Sequence, residues 1–210
     1  MNDLVQNFTK SLQTGYVDKS ILSNPDYQPE LLVNQKNPPK KVLSTILHEL
    51  EYCNQFYISV AFATTSGVAA IINKLKDLET QEIKGKILVS QYLNFTQPEA
   101  LKRLLQFKNI ELRIAITGNA HTKGYIFCNM EHYNLIVGSS NLTAQALTTN
   151  KEWNIKVSAL DNSSIVEKVL GEFYHDFEKG TSVTNEFISS YKEIYQTQFL
   201  LNTKNKIESI

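Results

Sequence analysis

Between residues 40 and 115 apolar runs and helical patterns take turns, and this alternation restricts the fold more than any other feature of the chain. The segment "KKVLSTILHELEY" (40–52) carries Leu43, Ile46, Leu47 and Leu50 at helical spacing, and "QFYISVAF" (55–62) follows as a strand. A helix over 65–78, a strand over 85–90 ("GKILVS"), a helix over 97–107 and a strand over 109–115 ("NIELRIA") continue the rhythm. Strands separated by helices of about a dozen residues can pair in parallel, because the helix carries the chain back to the other end of the sheet. The pattern predicts an α/β fold with a mixed, largely parallel β-sheet flanked by helices on both faces.

Three further strands, "TKGYIF" (122–127), "YNLIVG" (133–138) and "EWNIKVSA" (152–159), have shorter links, and the first two can form an antiparallel pair across "CNMEH". An amphipathic helix over 164–179 would cover the sheet. At the start, Leu4, Val5, Phe8 and Leu12 mark a helix over 4–14 with Gly15 as its stop, followed by an irregular arm to Pro39 in which "LLVN" forms a brief strand. Past Gly180 the pattern weakens but keeps helical spacing. The expected organisation is a domain over 1–180, including the helix and arm of 1–39, and a helical segment over 181–210 that leads into a downstream region of a longer protein.

The 42% hydrophobic content of these 210 residues suffices for a packed core. Lys plus Arg and Asp plus Glu number 21 each, so no global field draws a polyanion in, and a nucleic acid would have to be held by a local, salt-sensitive groove. Cys53 and Cys128 fit neither a disulfide framework nor a zinc site, which predicts two reduced thiols. No segment reads as a signal peptide or a membrane span, so the expectation is a cytoplasmic protein with no membrane partner.

Chemistry-bearing residues crowd into 121–153. On a strand, His121 and Lys123 would leave the same face, and the return strand would bring Gly138, Ser139 and Asn141 level with them. Small residues at a strand end let backbone amides approach an anion, and Ser and Asn add donors. Each residue also has an ordinary role: Lys123 as a solvated strand lysine, Ser139 or Asn141 as the N-cap of a helix at "LTAQAL", and Glu152 as an exposed strand residue. His48 reads as the polar edge of its helix, His132 as a turn residue and His175 as a terminal-helix residue. Thr64 and Ser90, at predicted strand ends, are secondary site candidates that helix caps and core termini explain equally well.

The motifs "HTK" and "GSSN" resemble the HxK and GSxN signatures of the phospholipase D superfamily. Glu152, eleven residues after Asn141, matches the glutamate of its nuclease-like branch. Where the superfamily places an Asp five residues after the lysine, this chain has Cys128. The resemblance implies a hydrolase of phosphodiesters, an endonuclease-like enzyme that works without metal or cofactor. His121 would attack phosphorus to form a phosphohistidine while a second histidine protonates the leaving oxygen; Lys123, Ser139 and Asn141 would hold the non-bridging oxygens, and Glu152 would bond the far ring nitrogen of His121. Because the chain holds a single HxK, the resemblance implies a homodimer with both His121 side chains near the two-fold axis. More specifically, "HTKGYIF" and "IVGSSNLTAQAL" resemble the N-terminal phospholipase D-like domain of bacterial DEAD/DEAH-box helicase proteins, which implies DNA as partner and a downstream helicase region in the same polypeptide. No GKT or DEAH motif occurs in the chain itself. Two other readings follow from the same motifs: a catalytically silent dimerisation or DNA-docking domain, and a phospholipase or lipid transferase, which would need an apolar entry and usually two motifs in one chain.

Overall fold

The structure, a computed structural model, describes residues 3–91, 95–116 and 120–208, with side chains through residue 197. One mixed sheet of eight strands organises it, in the order β1-β9-β8-β7-β4-β5-β6-β10. The central strands are β4 (Gln55–Val60), β5 (Lys84–Ser90), β6 (Ile110–Ala115), β7 (Lys123–Asn129), β8 (His132–Gly138) and β9 (Asn154–Leu160). The short strands β1 (Glu30–Leu32) and β10 (Thr181–Ser182) close the two edges, while β2 (Gln35–Lys36) and β3 (Pro39–Lys40) pair only with each other. Among the named strands parallel pairing is confined to β4–β5–β6, where helices α3 (Thr65–Thr80) and α4 (Pro98–Leu104) provide the crossovers. From β4 outward through β7, β8, β9 and β1 every pair is antiparallel.

The side-chain alternation of each strand sorts the core into two layers. Phe56, Ile58 and Val60 of β4, Tyr125 and Phe127 of β7 and Ile136 of β8 pack into the main core with α2 (Val42–Tyr52), α3, α4, α5 (Ala144–Thr148) and α7 (Asn185–Glu208). Tyr57, Leu88, Ile126 and Leu135 face the other way, onto Phe173 and Phe177 of α6 (Ser164–Lys179). Fully burying one such aliphatic side chain contributes about 1.5–3 kcal/mol, so the many fully buried residues of the main layer dominate the driving force. Arg113 on β6 fixes the end of α6, donating from Nη1 to the Phe177 and Glu178 carbonyls at 3.1 and 3.2 Å.

Helix α1 (Asp3–Tyr16) covers the predicted 4–14 and runs past Gly15. That glycine is needed for close approach instead, since a Cβ there would lie 2.6 Å from Pro29 Cδ. The expected "LLVN" strand is β1, joined to β9 at the sheet edge. The division expected after residue 180 falls between α6 and β10, and Val183, Ile188 and Tyr191 beyond it lie in the main core. Among the described residues no helix is long and apolar enough to cross a membrane.

Candidate active site

The register brings the motif residues to one end of the sheet. Lys123 opens β7 opposite Val60, the last residue of β4, and Gly138 ends β8 opposite Asn154, the first residue of β9. Gly138 is required there, because a Cβ would sit 2.2 Å from the Trp153 carbonyl oxygen and 2.5 Å from Asn154 Cα. Gly67 does the same for the neighbouring helix: a Cβ would lie 1.9 Å from the Leu142 carbonyl oxygen, so the start of α3 packs directly on the segment after Asn141. Thr64 caps α3 by accepting from the Gly67 N–H at 3.2 Å, and its own N–H donates to the Leu142 carbonyl at 3.0 Å.

Lys123 is only 7% exposed, although a strand lysine ordinarily reaches solvent. Its Nζ lies 2.7 Å from His121 Nδ1 and donates to the His121 carbonyl at 2.7 Å. Burial lowers the pKa of its ammonium, and the negative charge of Glu152 works against that shift. His121 itself is exposed. Nζ also lies 3.3 Å from Nε2, so the ammonium reaches both ring nitrogens and either can accept from it.

The GSxN segment is held from beneath by buried polar groups that sequence reasoning missed. Asn154 accepts from the Ser140 N–H at 3.1 Å and donates to Ser140 Oγ at 2.9 Å, and the Tyr125 hydroxyl donates to the Ser140 carbonyl at 3.1 Å. Asn141 is buried, and its Oδ1 accepts from the Phe62 N–H at 3.2 Å, which leaves Nδ2 as the donor end of the amide. The only sequence signals for these supports were positional: Ser140 is the variable residue of GSxN, and Asn154 stands two places after Glu152.

The Ser139 hydroxyl is engaged within the chain, and the cap of α5 departs from expectation. The Ser139 hydroxyl donates to the Glu152 carboxylate and accepts from the Trp153 N–H at 3.0 Å, so its proton is not directed to a phosphate oxygen. Ser139 is thus one partner of Glu152. The N-cap of α5 is Thr143, which accepts from the Ala146 N–H at 3.1 Å, and not Ser139 or Asn141. Of the secondary candidates, Thr64 is the cap already described, and Ser90 is buried with its carbonyl accepting from Thr96 Oγ1 at 2.9 Å.

Cys128 lies five residues along β7 from Lys123, about 16 Å at strand rise, and on the opposite face of the sheet by alternation. A change at that position touches none of the site groups. The remaining histidines also lie elsewhere. His132, at the far end of β8, meets Phe8 and Tyr27 edge to face; His48 meets Tyr52 edge to face on α2; His175 is on α6 beside Lys179. Among the described residues no group of three or more His, Cys, Asp or Glu is placed to hold a metal ion.

Residues 46–177 match the family described as cardiolipin synthase, PLD-like domain. Solved structures share the fold at low identity. Nuc from Salmonella typhimurium, a phospholipase D family member, is 17% identical with a TM-score of 0.60, covering 75% of this chain and 100% of its own. NucT from Helicobacter pylori is 16% identical with a TM-score of 0.58, covering 74% and 99%. Phosphatidylserine synthase from Haemophilus influenzae is 13% identical with a TM-score of 0.56, covering 87% of this chain but 46% of its own. No curated protein matches the sequence.

Proposed function

Because the chain belongs to the PLD-like domain family, we propose that it is a metal-independent phosphodiesterase acting on DNA through a phosphohistidine on His121. The observation that carries this reading is the HxK pair itself, a buried ammonium against an exposed imidazole, set level with the Asn141 amide at one end of the sheet. A phosphodiester is anionic and its alkoxide is a poor leaving group, so cleavage needs a nucleophile, a proton donor and fixed positive charge. The lone pair of a His121 ring nitrogen attacks phosphorus, and the P–O bond to the leaving oxygen breaks as a second imidazolium protonates that oxygen. Water, giving its proton to the second imidazole, then attacks the phosphohistidine, and the P–N bond breaks to restore neutral His121. Lys123 Nζ and Asn141 Nδ2 hold the non-bridging oxygens throughout. A phosphate that draws Lys123 Nζ off the ring frees a ring lone pair of His121 to attack, and Glu152, anchored by Ser139, sets the local charge.

The second imidazole comes from a second copy of the chain. Two side chains register across β8 and β9, Val137 opposite Ile155, and Ile155 stands opposite Leu31 of β1; all three are exposed. Trp153, 64% exposed, extends this apolar stripe to the neighbourhood of Ser139 and Glu152. A contiguous exposed apolar stripe at the edge of an incomplete site fits a two-fold interface that brings the two His121 rings together. Residues 1–180, with the packed start of α7, form the working unit. The resemblance of its motif segments supports reading this unit as one that precedes a helicase region.

The test is nicking of supercoiled DNA in EDTA. Wild type is expected to nick as well in EDTA as in magnesium, and to run as a dimer by native mass. Ile155→Lys, which puts a charge in the stripe away from the reacting groups, is expected to become monomeric and to lose at least tenfold in activity at equal chain concentration. Abolition of nicking by EDTA contradicts the mechanism, and a dimeric, active Ile155→Lys protein contradicts the interface.

A further inference from the structure

We propose that Tyr191 on α7 is a positioning residue for the site: its hydroxyl, through Thr96 and Gln97, fixes the segment 62–65 against which the Asn141 amide is set. The inference rests on the phosphodiesterase reading above for what Asn141 does, and adds the group that sets its place.

The mount of Asn141 is the segment that follows β4. Phe62 donates its N–H to Asn141 Oδ1 at 3.2 Å, Ala63 bridges to Leu142, and Thr64 donates its N–H to the Leu142 carbonyl at 3.0 Å. Consecutive residues thus hold the Asn141 side chain and the residue after it. Gln97 ties the same segment at two further points. Its N–H donates to the Ala63 carbonyl at 2.9 Å, and its Oε1 accepts from the Thr65 N–H at 2.7 Å. A shift of Gln97 therefore carries Ala63 and Thr65 with it, and the Phe62 N–H that orients the amide.

The place of Gln97 is set by the residue before it. Thr96 is fully buried; its Oγ1 donates to the Ser90 carbonyl at 2.9 Å, and its own carbonyl accepts from the Tyr191 hydroxyl at 2.8 Å. Tyr191 is 1% exposed, lies in the main core and stacks on Phe187 with ring centroids 5.9 Å apart, so packing fixes the ring and aims the hydroxyl. Burial pushes its pKa up, which keeps it a donor. Taking a phenolic hydroxyl out of water costs free energy that a Phe would avoid, and the Thr96 carbonyl is the acceptor that offsets this cost. Tyr191 stands outside residues 46–177, so this support is an addition of the chain to the matched region.

Misplacing a group that holds the reacting phosphate by about 1 Å can lower a rate ~10²-fold. The hydroxyl is one of several supports, so its loss is expected to cost about tenfold. The test is a double-mutant cycle of Tyr191→Phe and Asn141→Ala in the full-length chain, with bis(p-nitrophenyl) phosphate as substrate. Tyr191→Phe keeps the ring and removes the hydroxyl. Alone it is expected to lower kcat about tenfold with KM changed less than about twofold. In the Asn141→Ala background it is expected to lower kcat less than about twofold, because the amide it positions is already gone. Equal losses in the two backgrounds overturn the inference.

Amide hydrogen exchange reads the same claim without activity. In Tyr191→Phe, exchange at Phe62, Thr65 and Gln97 is expected to speed about tenfold, while Asn54, whose N–H donates to the Cys128 carbonyl before the other end of β4, is expected to stay unchanged. An unchanged Phe62, or the same acceleration at Asn54, also overturns the inference. If wild type hydrolyses no diester, the phosphodiesterase reading fails, and the exchange comparison still decides whether Tyr191 holds the mount of Asn141.

Discussion

At the scale of single residues, Lys123 carries the largest energetic demand in the site. Its ammonium is buried, which lowers its pKa, and it is kept charged by carbonyl contact and by Glu152 nearby. A fixed cation in a water-poor pocket stabilises charge developing on phosphoryl oxygens far better than a solvated one. Lys123→Gln is expected to reduce kcat about 10²- to 10³-fold, the scale of losing one fixed electrostatic contact, with a smaller change in KM. Because the pKa is lowered, the alkaline limb of the wild-type pH–rate profile should begin below the ordinary lysine range as the ammonium loses its proton. A profile whose alkaline limb is identical in the Gln variant would assign that limb to another group. The residue also shows what sequence could reveal. HxK and GSxN were legible as a cluster because strand periodicity and motif spacing put them level. The Ser139–Glu152 pair was not, because it depends on how β8 and the residues before β9 close on each other around Gly138.

At the scale of elements, a buried polar network holds the end of the sheet away from the site. Glu49 on α2 pairs with Lys156 on β9 at 2.6 Å and accepts from Asn134 Nδ2 on β8 at 2.6 Å, and Ser158 donates to Asn134 Oδ1 at 2.6 Å. His132 stands at the rim of the cavity this network floors, with Tyr27 against it. Burial lowers the His132 pKa; Glu49 and Glu131 oppose the shift, and Lys156 adds to it. The folded state therefore holds this proton less tightly than the unfolded chain, whose histidines titrate near 6.5. The contribution to stability is fully present above that value and is lost as pH falls through the lower folded pKa. Urea midpoints are expected to drop between pH 7.5 and pH 5.5 for wild type and to drop less for His132→Gln; parallel curves for the two proteins would remove His132 as the cause. None of this network could be read from the sequence. Which polar residues of α2 and the β8–β9 pair meet is decided only when those elements pack together. The helices and strands themselves were legible from apolar periodicity. The 97–107 helix came out shorter, because the chain turns after Leu104 to bury Phe107.

At the scale of the whole molecule, the parallel β4–β5–β6 unit and the antiparallel β7–β8–β9 unit meet at β4, and the proposed catalytic groups sit at the end of that junction. The α/β alternation and the two-sided helical cover were visible in the sequence. The extent of the antiparallel half was not, since loop length alone does not say that β9 returns beside β8 after α5. The proposed pairing of two chains rests on the single HxK, on other histidines placed elsewhere among the described residues, and on an apolar stripe beside the site. In that arrangement each His121 serves as nucleophile at one phosphate and as proton donor at its mate's. The most direct measurement is to react the protein with ³²P-labelled DNA in EDTA, quench in alkali and follow label on the protein. The account predicts a protein-bound phosphate that survives alkali, is released by acid, maps to the peptide bearing His121 and is missing from His121→Ala. DNA cleaved at full rate with no such adduct, or an adduct of the same size in His121→Ala, would contradict it.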